Sequence, residues 1–279
     1  MYTEKSVALK TDFYNRYGEA EGDLYFERTG LPCILMEGGD KTLEFSLGCG
    51  VRAYGRRTGD VLRILNAKSN VCDVHCVKSG MGAQILYETD IPDLRNMSTL
   101  TVYTVEKILK RMGISQRNGF DISNAAICDI YGSKGWCALR EYNKIKQVPL
   151  PLLDHNVLLI RTQKNPEVFK DEMLLKRFRN GESERIAIAA EGLKKCRLEV
   201  LFNMLTESEK AIELLLKPKK QALYAAKIAG ETDGVSAAKI CDIGVICFVE
   251  KALTDVAARV ISDEFEKCLG YSAGIVVVK

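Results

Sequence analysis

Cys72, His75 and Cys76 form a tight cluster of metal-binding residue types in the sequence. A structural zinc site needs about four such ligands, and the other histidine of the chain, His155, stands alone. The ten cysteines are scattered through apolar segments such as ICDIGVICFVE, where a reduced thiol behaves as a small hydrophobic side chain. The sequence therefore predicts reduced, buried thiols and no metal site.

The short motifs that usually mark a nucleotide-binding or catalytic centre are missing. The chain contains no G-x-x-x-x-G-K-[ST], no G-x-G-x-x-G, no G-x-S-x-G and no H-E-x-x-H. It has 22 glycines, but no three of them cluster as a backbone cradle for phosphate requires, since each N–H must approach the anion without an intervening side chain. Any chemistry has to come from residues that the fold brings together.

The first half of the chain changes from strands to helices. Residues 5–18 have apolar residues at helical spacing and end at Gly18, a residue suited to a C-cap. Short apolar runs punctuated by glycines then predict a block of strands, which includes VCDVHCV and AQILYE. The apolar spacing from Ser98 to Met112 predicts a helix with one buried face, and the run ISNAAICDIY predicts another.

The second half begins with one more strand, VLLIRT, and turns helical and charged from Glu167 to about Ala229. The last fifty residues then predict two strands (VSAAKIC and GVICFVE), a helix and a closing strand, AGIVVVK. The predicted buried side of that last helix consists of Leu253, Val256, Val260, Ile261 and Phe265. Strands and helices segregate into blocks, so the sequence predicts an α+β protein with lobes at 1–160 and 161–279.

The composition describes a globular chain without a strong overall charge. Of 279 residues, 47% are hydrophobic and 28% charged, and the formal net charge is +3. No global field would draw such a chain to nucleic acid or to an anionic membrane. No apolar run approaches the ~20 residues that a membrane span needs, and the start, MYTEKSVALK, lacks the apolar stretch of a signal peptide. We expect a cytoplasmic protein that binds neither nucleic acid nor membrane.

Segments along most of the chain resemble, in their order, the galactokinase branch of the GHMP family of small-molecule kinases. LEFSLGCGVRAYGRRTGDVLRIL resembles the strand pair after the family's first motif, and TDIPDLRNMSTLTVYTVEKILKRMGI resembles the strand, phosphate loop and helix of the second. ISNAAICDIYGSKGWCALREYN looks like the catalytic helix and turn, and GVSAAKICDIGVICFVEKAL follows the third motif. The resemblance implies a two-lobed α+β fold, with a ribosomal-protein-S5-like element in the first lobe and a shortened ferredoxin-like second lobe.

The same resemblance implies roles for residues near the nucleotide and the sugar. In the stretch that resembles the first motif, GLPCILMEGGDKT, the expected histidine is missing, and Glu37 and Asp40 are out of register with the motif. Ser98 and Thr99 match hydroxyls of the phosphate loop and would contact a nucleotide or else cap the helix. In the same loop, bulkier residues stand where small ones are expected: Leu94, Arg95 and Asn96.

At the third motif and the catalytic turn the resemblance implies losses. The segment from Cys241 to Ile246 contains one glycine, Gly244, which predicts an ordinary hairpin in place of a glycine-rich turn. Arg140 takes the place of the catalytic aspartate, and a guanidinium cannot accept a proton at neutral pH. A shift of one residue would allow Glu141 to act as the base. Otherwise the Arg140–Glu141 pair is a solvated ion pair on a turn.

Two functions follow as hypotheses from this resemblance. In the favoured one, the protein is a pseudo-kinase without efficient phosphoryl transfer that binds a small sugar-like ligand or a protein partner, with no cofactor. In the alternative, it is an ATP-dependent sugar kinase that uses ATP and Mg²⁺, with Ser98 and Thr99 at the phosphates and Glu141 as base. Trp136, in a glycine-flanked turn, would either fill the former sugar pocket or stack on a new ligand.

Overall fold

The computed structural model describes residues 4–19, 22–69, 72–91, 97–114, 124–162, 171–216, 218 and 220–278. The chain folds into two compact units, one of Met1–Leu31 with Cys49–Asp129 and the other of Pro32–Gly48 with Ile130–Lys279. Two long strands, β1 (Tyr25–Glu37) and β2 (Lys41–Thr58), are shared by the two units. The predicted lobe boundary near residue 160 stays a prediction.

The first unit is a sheet covered by helices. Its remaining elements are α1 (Glu4–Tyr17), β3 (Val61–Asn66), β4 (Cys72–Cys76), β5 (Gly82–Thr89), α2 (Met97–Arg111) and most of α3 (Asn124–Tyr131). The strand order is β4-β3-β5-β2, in which only β3 and β5 run parallel. Helix α2 packs Ile108 onto β5 at Gly55 of β2, where an added Cβ would lie 2.7 Å from the Ile108 side chain. The missing side chain of Gly55 therefore allows the helix to approach the sheet.

The second unit contains a four-stranded antiparallel sheet with helices packed on it. Its elements after α3 are β6 (Trp136–Glu141), β7 (Lys144–Pro149), β8 (His155–Arg161), α4 (Glu172–Lys194), α5 (Leu198–Ala211), a π-helical turn (Ile212–Leu216), α6 (Lys220–Glu231), β9 (Val235–Cys241), β10 (Gly244–Glu250), a 3₁₀ turn (Lys251–Leu253), α7 (Thr254–Leu269) and β11 (Gly274–Val278). The sheet has the order β11-β8-β10-β9. In the same unit the start of β2 pairs with β6, which pairs with β7.

The predicted elements agree closely with this structure. The opening helix ends at Gly18, whose φ is +73° and whose amide donates to the Tyr14 carbonyl, so the predicted glycine C-cap is confirmed. The strands VSAAKIC and GVICFVE coincide with β9 and β10. No helix among the described residues is long and apolar enough to cross a membrane.

Two predictions about burial are wrong. In α7 the buried stripe passes through Thr254, Ala257, Ile261 and Phe265, whereas Val256 and Val260 are exposed. Both valines precede buried positions by one residue, which turns them by about 100° around the helix. Four cysteines are exposed as well, in contrast to the predicted burial: Cys72, Cys76, Cys196 and Cys268. The first two belong to β4, an edge strand with every residue exposed.

Candidate functional site

A cleft of about 300 Å³ opens in the second unit between the end of β1, helix α4 and the β9–β10 hairpin. Apolar side chains form most of its wall: Ile34, Leu35, Met36, Leu175, Phe178, Ile212, Leu216, Pro218 and Ile240. Its charged lining residues are Glu37, Arg179, Glu182, Lys239 and Asp242. A concave apolar site with a few converging polar groups is the usual form of a small-molecule site.

Glycines in the β1–β2 turn bring that turn against α4. A Cβ on Gly38 would lie 2.2 Å from the hydroxyl oxygen of Ser183 and 2.7 Å from its amide nitrogen, so no other residue fits at this position without displacement. The backbone N–H of Gly39 donates to Ser183 Oγ at 3.1 Å. The two glycines thereby fix the start of β2 against the middle of the helix.

Asp40, the last residue of this turn before β2, is held in its ionised form. The Ser183 hydroxyl donates to its Oδ1 at 2.5 Å, and the Tyr142 hydroxyl donates to the same carboxylate. The Ser183 hydrogen bond is the largest cause that lowers the pKa of Asp40, because it favours the charged form. Tyr142, at the β6–β7 turn with φ +52°, is also tied through its backbone N–H to the Asp40 carbonyl. Asp40 is therefore an oriented, ionised acceptor at neutral pH.

Asp242 and Glu37 are the acidic residues that line the cleft near its β9–β10 side, whereas Asp40 is not among its lining residues. Asp242 reaches solvent at the tip of the β9–β10 hairpin, but protein atoms crowd its carboxyl group. That desolvation, together with the negative charge of Glu37, raises the pKa of Asp242 to about 6. The two carboxylates therefore make this side of the cleft unfavourable for an anion.

A buried ion pair closes the inner wall of the cleft. Glu182 is fully buried, and its two carboxylate oxygens accept from Arg185 at 2.9 Å, from the Ser208 hydroxyl at 2.5 Å and from Lys239 at 3.3 Å. Lys239 Nζ also donates to Ser208 Oγ at 2.7 Å. Burying a charge is costly unless it is paired and hydrogen-bonded, and this network meets that condition. It fixes α4, α5 and β9 relative to each other inside the second unit.

The hairpin between β9 and β10 is tight. Cys241 and Gly244 are paired across the strands, which leaves Asp242 and Ile243 as the two turn residues. Gly244 has φ +142°, and a Cβ there would lie 2.4 Å from the Ile160 carbonyl oxygen of β8. The glycine serves the close approach of a neighbouring strand, so the predicted ordinary hairpin is confirmed.

Arg140 and Glu141 lie at the end of strand β6, whereas the sequence analysis placed them on a turn. They face Thr42 and Lys41 of β2 in the sheet register. Arg140 donates to the Thr42 hydroxyl at 3.4 Å, and Glu141 forms ion pairs with Lys146 at 3.1 Å and with Lys41 at 4.0 Å. Strand pairing, which the local sequence did not reveal, fixes both side chains.

Ser98 and Thr99 are exposed in the first turn of α2 in the first unit. The helix begins at Met97, so both residues follow its first helical position and neither is the N-cap. The rest of the predicted phosphate loop, Leu94 to Asn96, lies outside the described residues. The structure therefore locates the two hydroxyls but leaves their contact with a nucleotide as a proposal.

Of the cleft residues, Glu37 and the segment from Cys241 were already named from the sequence, but the buried pair of Glu182 and Lys239 was not. Glu182 lies in a charged helix among many other glutamates, and nothing in its local pattern indicates burial. The pair Gly38-Gly39 before Asp40 was the one available signal, because adjacent glycines often mark a close backbone approach. In the part of the chain that the structure describes, no group of three or more His, Cys, Asp or Glu side chains is placed to hold a metal ion.

Comparisons with known proteins connect the fold to small-molecule kinases. The chain superposes on the galactokinase of Lactococcus lactis solved with galactose, with a TM-score of 0.78 at 14% identity, over 99% of this chain and 98% of that one. A mevalonate kinase from methicillin-resistant Staphylococcus aureus gives 0.63 at 13% identity over 91% and 98%. A mevalonate diphosphate decarboxylase from Staphylococcus aureus gives 0.54 at 12% identity over 93% and 99%.

No family model and no curated protein sequence matches the chain. At these identities the structural likeness shows the fold alone. The chain has the fold of galactokinase and mevalonate kinase, and the α+β GHMP-kinase fold expected from the resemblance is confirmed.

Proposed function

We propose that this galactokinase-like fold binds a small neutral sugar, of the galactose class, in the cleft between β1, α4 and the β9–β10 hairpin, without efficient phosphoryl transfer. Carboxylate oxygens such as those of Glu37 and Asp242, which line the cleft, accept hydrogen bonds from sugar hydroxyls. The apolar wall at Leu175 and Phe178 suits the less polar face of a sugar ring. The galactose in the Lactococcus lactis structure supports this choice of ligand class.

The closed β9–β10 hairpin is the observation that supports the proposed loss of phosphoryl transfer. A phosphate-binding turn exposes several backbone N–H groups to the anion. Here the turn has two residues with side chains, and its flanking Gly244 is packed against Ile160. The carboxylate of Asp242 occupies the tip, where a phosphoryl group would meet negative charge. These residues do not fit ATP.

The proposed loss also agrees with the surroundings of Arg140 and Glu141. Arg140 keeps its proton at neutral pH and cannot act as a base. Glu141 forms ion pairs with two lysines, Lys41 and Lys146, which hold its carboxylate beside the sheet. We propose that both residues stabilise the β2–β6–β7 sheet and take no part in catalysis.

The alternative is an active sugar kinase that uses ATP and Mg²⁺. The exposed hydroxyls of Ser98 and Thr99 favour it, because they lie in the first turn of a helix, where the dipole attracts phosphate. In this alternative Glu141 would be the base. The two functions differ in what they require of Ser98 and Asp242, so binding measurements separate them.

Calorimetric titration of the intact protein with galactose tests the proposal directly. We expect saturable binding that Asp242→Asn, in the cleft wall, weakens at least about tenfold, equal to about 1.4 kcal/mol. Asp263→Asn, at an exposed position of α7, is the matched control and should bind like the unaltered protein. Absence of saturable binding, or equal binding by both variants, would overturn the sugar site.

Thermal shift with ATP, ADP and Mg²⁺ together with a galactose phosphorylation assay tests the second half of the proposal. A nucleotide that binds the folded state at about a hundred times its dissociation constant would add about 2.7 kcal/mol. We expect no shift and no turnover. Robust turnover that Glu141→Gln abolishes, or a nucleotide shift that Ser98→Ala removes, would establish the kinase alternative instead.

The cellular role follows as part of the same proposal. A sugar-binding protein without turnover would act as a binding or regulatory module, in the cytoplasm, with a protein partner that reads its sugar-bound state. Binding to nucleic acid or membrane is not part of this role.

A further inference from the structure

A second cavity in the second unit differs in chemistry from the cleft between β1, α4 and the β9–β10 hairpin. We call that cleft the acidic cleft, after its lining residues Glu37 and Asp242. The second cavity has a volume of about 550 Å³ and is formed by the start of β2, the turn before β6 and the segment that leads into β8. It shares no lining residue with the acidic cleft. Its occupancy is therefore independent of the proposed sugar-binding function.

Two lysines and a tryptophan line this cavity. Trp136 is 42% exposed at the start of β6, and Lys134 lies two residues before it. Lys251 lines the cavity as well. Its side-chain nitrogen donates to the Leu153 carbonyl, and its backbone N–H donates to the Asp154 carbonyl at 2.9 Å. Lys251 is therefore held in place by the segment that borders the cavity.

The cavity has a positive charge that its own walls do not neutralise. Among the residues that the structure describes, no aspartate or glutamate lines it. Among the ion pairs of the described residues, none involves Lys134. Ammonium groups bind phosphate readily as point charges. An anionic group at Lys134 and Lys251 would supply the missing counter-charge.

The remaining walls suit a ring. Phe45, Leu47, Leu150 and Val157 provide apolar surface beside the indole of Trp136. His155 also lines the cavity, but its Nε2 is already hydrogen-bonded to Ser236 Oγ at 3.0 Å, and its ring packs on Phe202 with 5.0 Å between the centroids. We therefore assign it no role in binding the ligand. A partly exposed aromatic face next to cationic groups can hold a ring that carries an anion.

We propose that this cavity is a binding site for a hexose monophosphate. The sugar ring lies against Trp136, and the phosphate is bound by Lys134 and Lys251. The site is separate from the acidic cleft, whose carboxylates would repel the same ligand. The protein thus carries one cleft suited to a neutral sugar and one cavity suited to a phosphorylated sugar.

The sequence contains a single tryptophan, so intrinsic fluorescence reports on this cavity without interference from other tryptophans. We expect titration of the intact protein with glucose 6-phosphate to give a saturable change in tryptophan emission. Glucose and inorganic phosphate serve as separate probes, because each offers half of the proposed contacts. Each should bind at least about tenfold more weakly than the combined ligand.

Substitutions of the lysines provide the decisive comparison. Lys134→Gln with Lys251→Gln should weaken glucose 6-phosphate at least about tenfold, whereas Lys227→Gln, on the exposed side of α6, should leave binding unchanged. Trp136→Phe, followed by calorimetry, should weaken binding without changing the circular dichroism spectrum. Because these side chains are exposed, we expect all the variants to fold, and thermal unfolding checks this.

Four results would overturn the proposal. The first is the absence of saturable binding. The second is glucose 6-phosphate affinity that the double lysine substitution leaves unchanged. The third is equal affinity for glucose and glucose 6-phosphate, which would show that the lysines contribute nothing. The fourth is loss of glucose 6-phosphate binding through Asp242→Asn, with the lysine variants unaffected, which would place the ligand in the acidic cleft.

Discussion

The two units each contain a buried cation that pairs with a carboxylate, but the two pairs have different surroundings. In the first unit, Arg52 donates to Asp90 at 2.7 Å and 3.1 Å and to Glu88 at 3.5 Å. These contacts lie where the end of β5 pairs with β2. In the second, Lys239 and Glu182 pair at 3.3 Å on the wall of a cleft. One pair holds strands together, and the other also shapes a candidate binding site.

The difference shows when a buried charge indicates a binding site. Burial raises the pKa of Asp90, but the hydrogen bonds from Arg52 and from the Gly50 amide outweigh it, and the pKa is lowered overall. The partners of that carboxylate among the described residues come from its own sheet and from Lys5. A buried ion pair therefore marks a site only where it also borders a cavity, as Glu182 and Lys239 do. The comparison can be tested in four ways.

The largest effect is expected from Lys239→Met. The substitution leaves Glu182 buried without one of its cationic partners, and breaking a buried pair costs about 3–5 kcal/mol. Urea unfolding measures the loss, and Glu182→Leu with Lys239→Met is the control, since an apolar pair should restore part of the stability. If the double variant were less stable than both single variants, the network would stabilise the protein by more than the attraction between its charges.

Arg52→Met should have the next largest effect. Asp90 would lose two charge-assisted hydrogen bonds, worth about 2–3 kcal/mol together after relaxation. Because this pair lies in the first unit and borders neither cavity, binding of galactose and glucose 6-phosphate should be unchanged when measured by calorimetry. A change in either affinity would contradict the separation of structural and functional charge.

Gly38→Ala should cost about 1–3 kcal/mol, because the new methyl group would displace the backbone of Ser183. The displacement would also shift the neighbouring Glu37 in the cleft wall, so we expect weaker galactose binding. Gly39→Ala is the matched control, since nothing lies within 4 Å of a Cβ at that position. Equal stability of the two variants in urea would contradict the proposed close approach.

The smallest effect concerns the pH dependence set by Asp242. Its pKa is raised from 3.8 to about 6 in the folded protein, so the folded state binds more protons than the unfolded state between those values. The contribution of Asp242 to stability therefore falls as the pH rises from about 4 to 6 and stays low above.

Asp242→Asn removes this dependence and, after allowance for solvent screening of an exposed carboxyl group, should stabilise the protein by about 0.5–1 kcal/mol at pH 7. Urea unfolding of both proteins at pH 4 and pH 7 measures it. A difference between the proteins that does not grow with pH would refute the raised pKa.

Periodicity and turn residues were enough to predict most secondary structure, since these signals depend on a few neighbouring residues. The strands β9 and β10, the glycine cap of α1 and the α+β class all follow from local pattern. The order of weak matches also predicted the GHMP-kinase fold. Lobe boundaries and the roles of Ser98, Thr99 and Glu141 remain predictions.

The candidate sites depended on tertiary structure, because their residues are far apart in the chain. Asp40 and Ser183 are separated by 143 positions, and Lys239 and Glu182 by 57. Helical spacing also failed to distinguish Val256 and Val260 from their buried neighbours, since one residue of rotation decides which side faces the sheet. The sequence by itself determined which segments become strands and helices, whereas the packing of distant segments decided which charges are buried and which line a cavity.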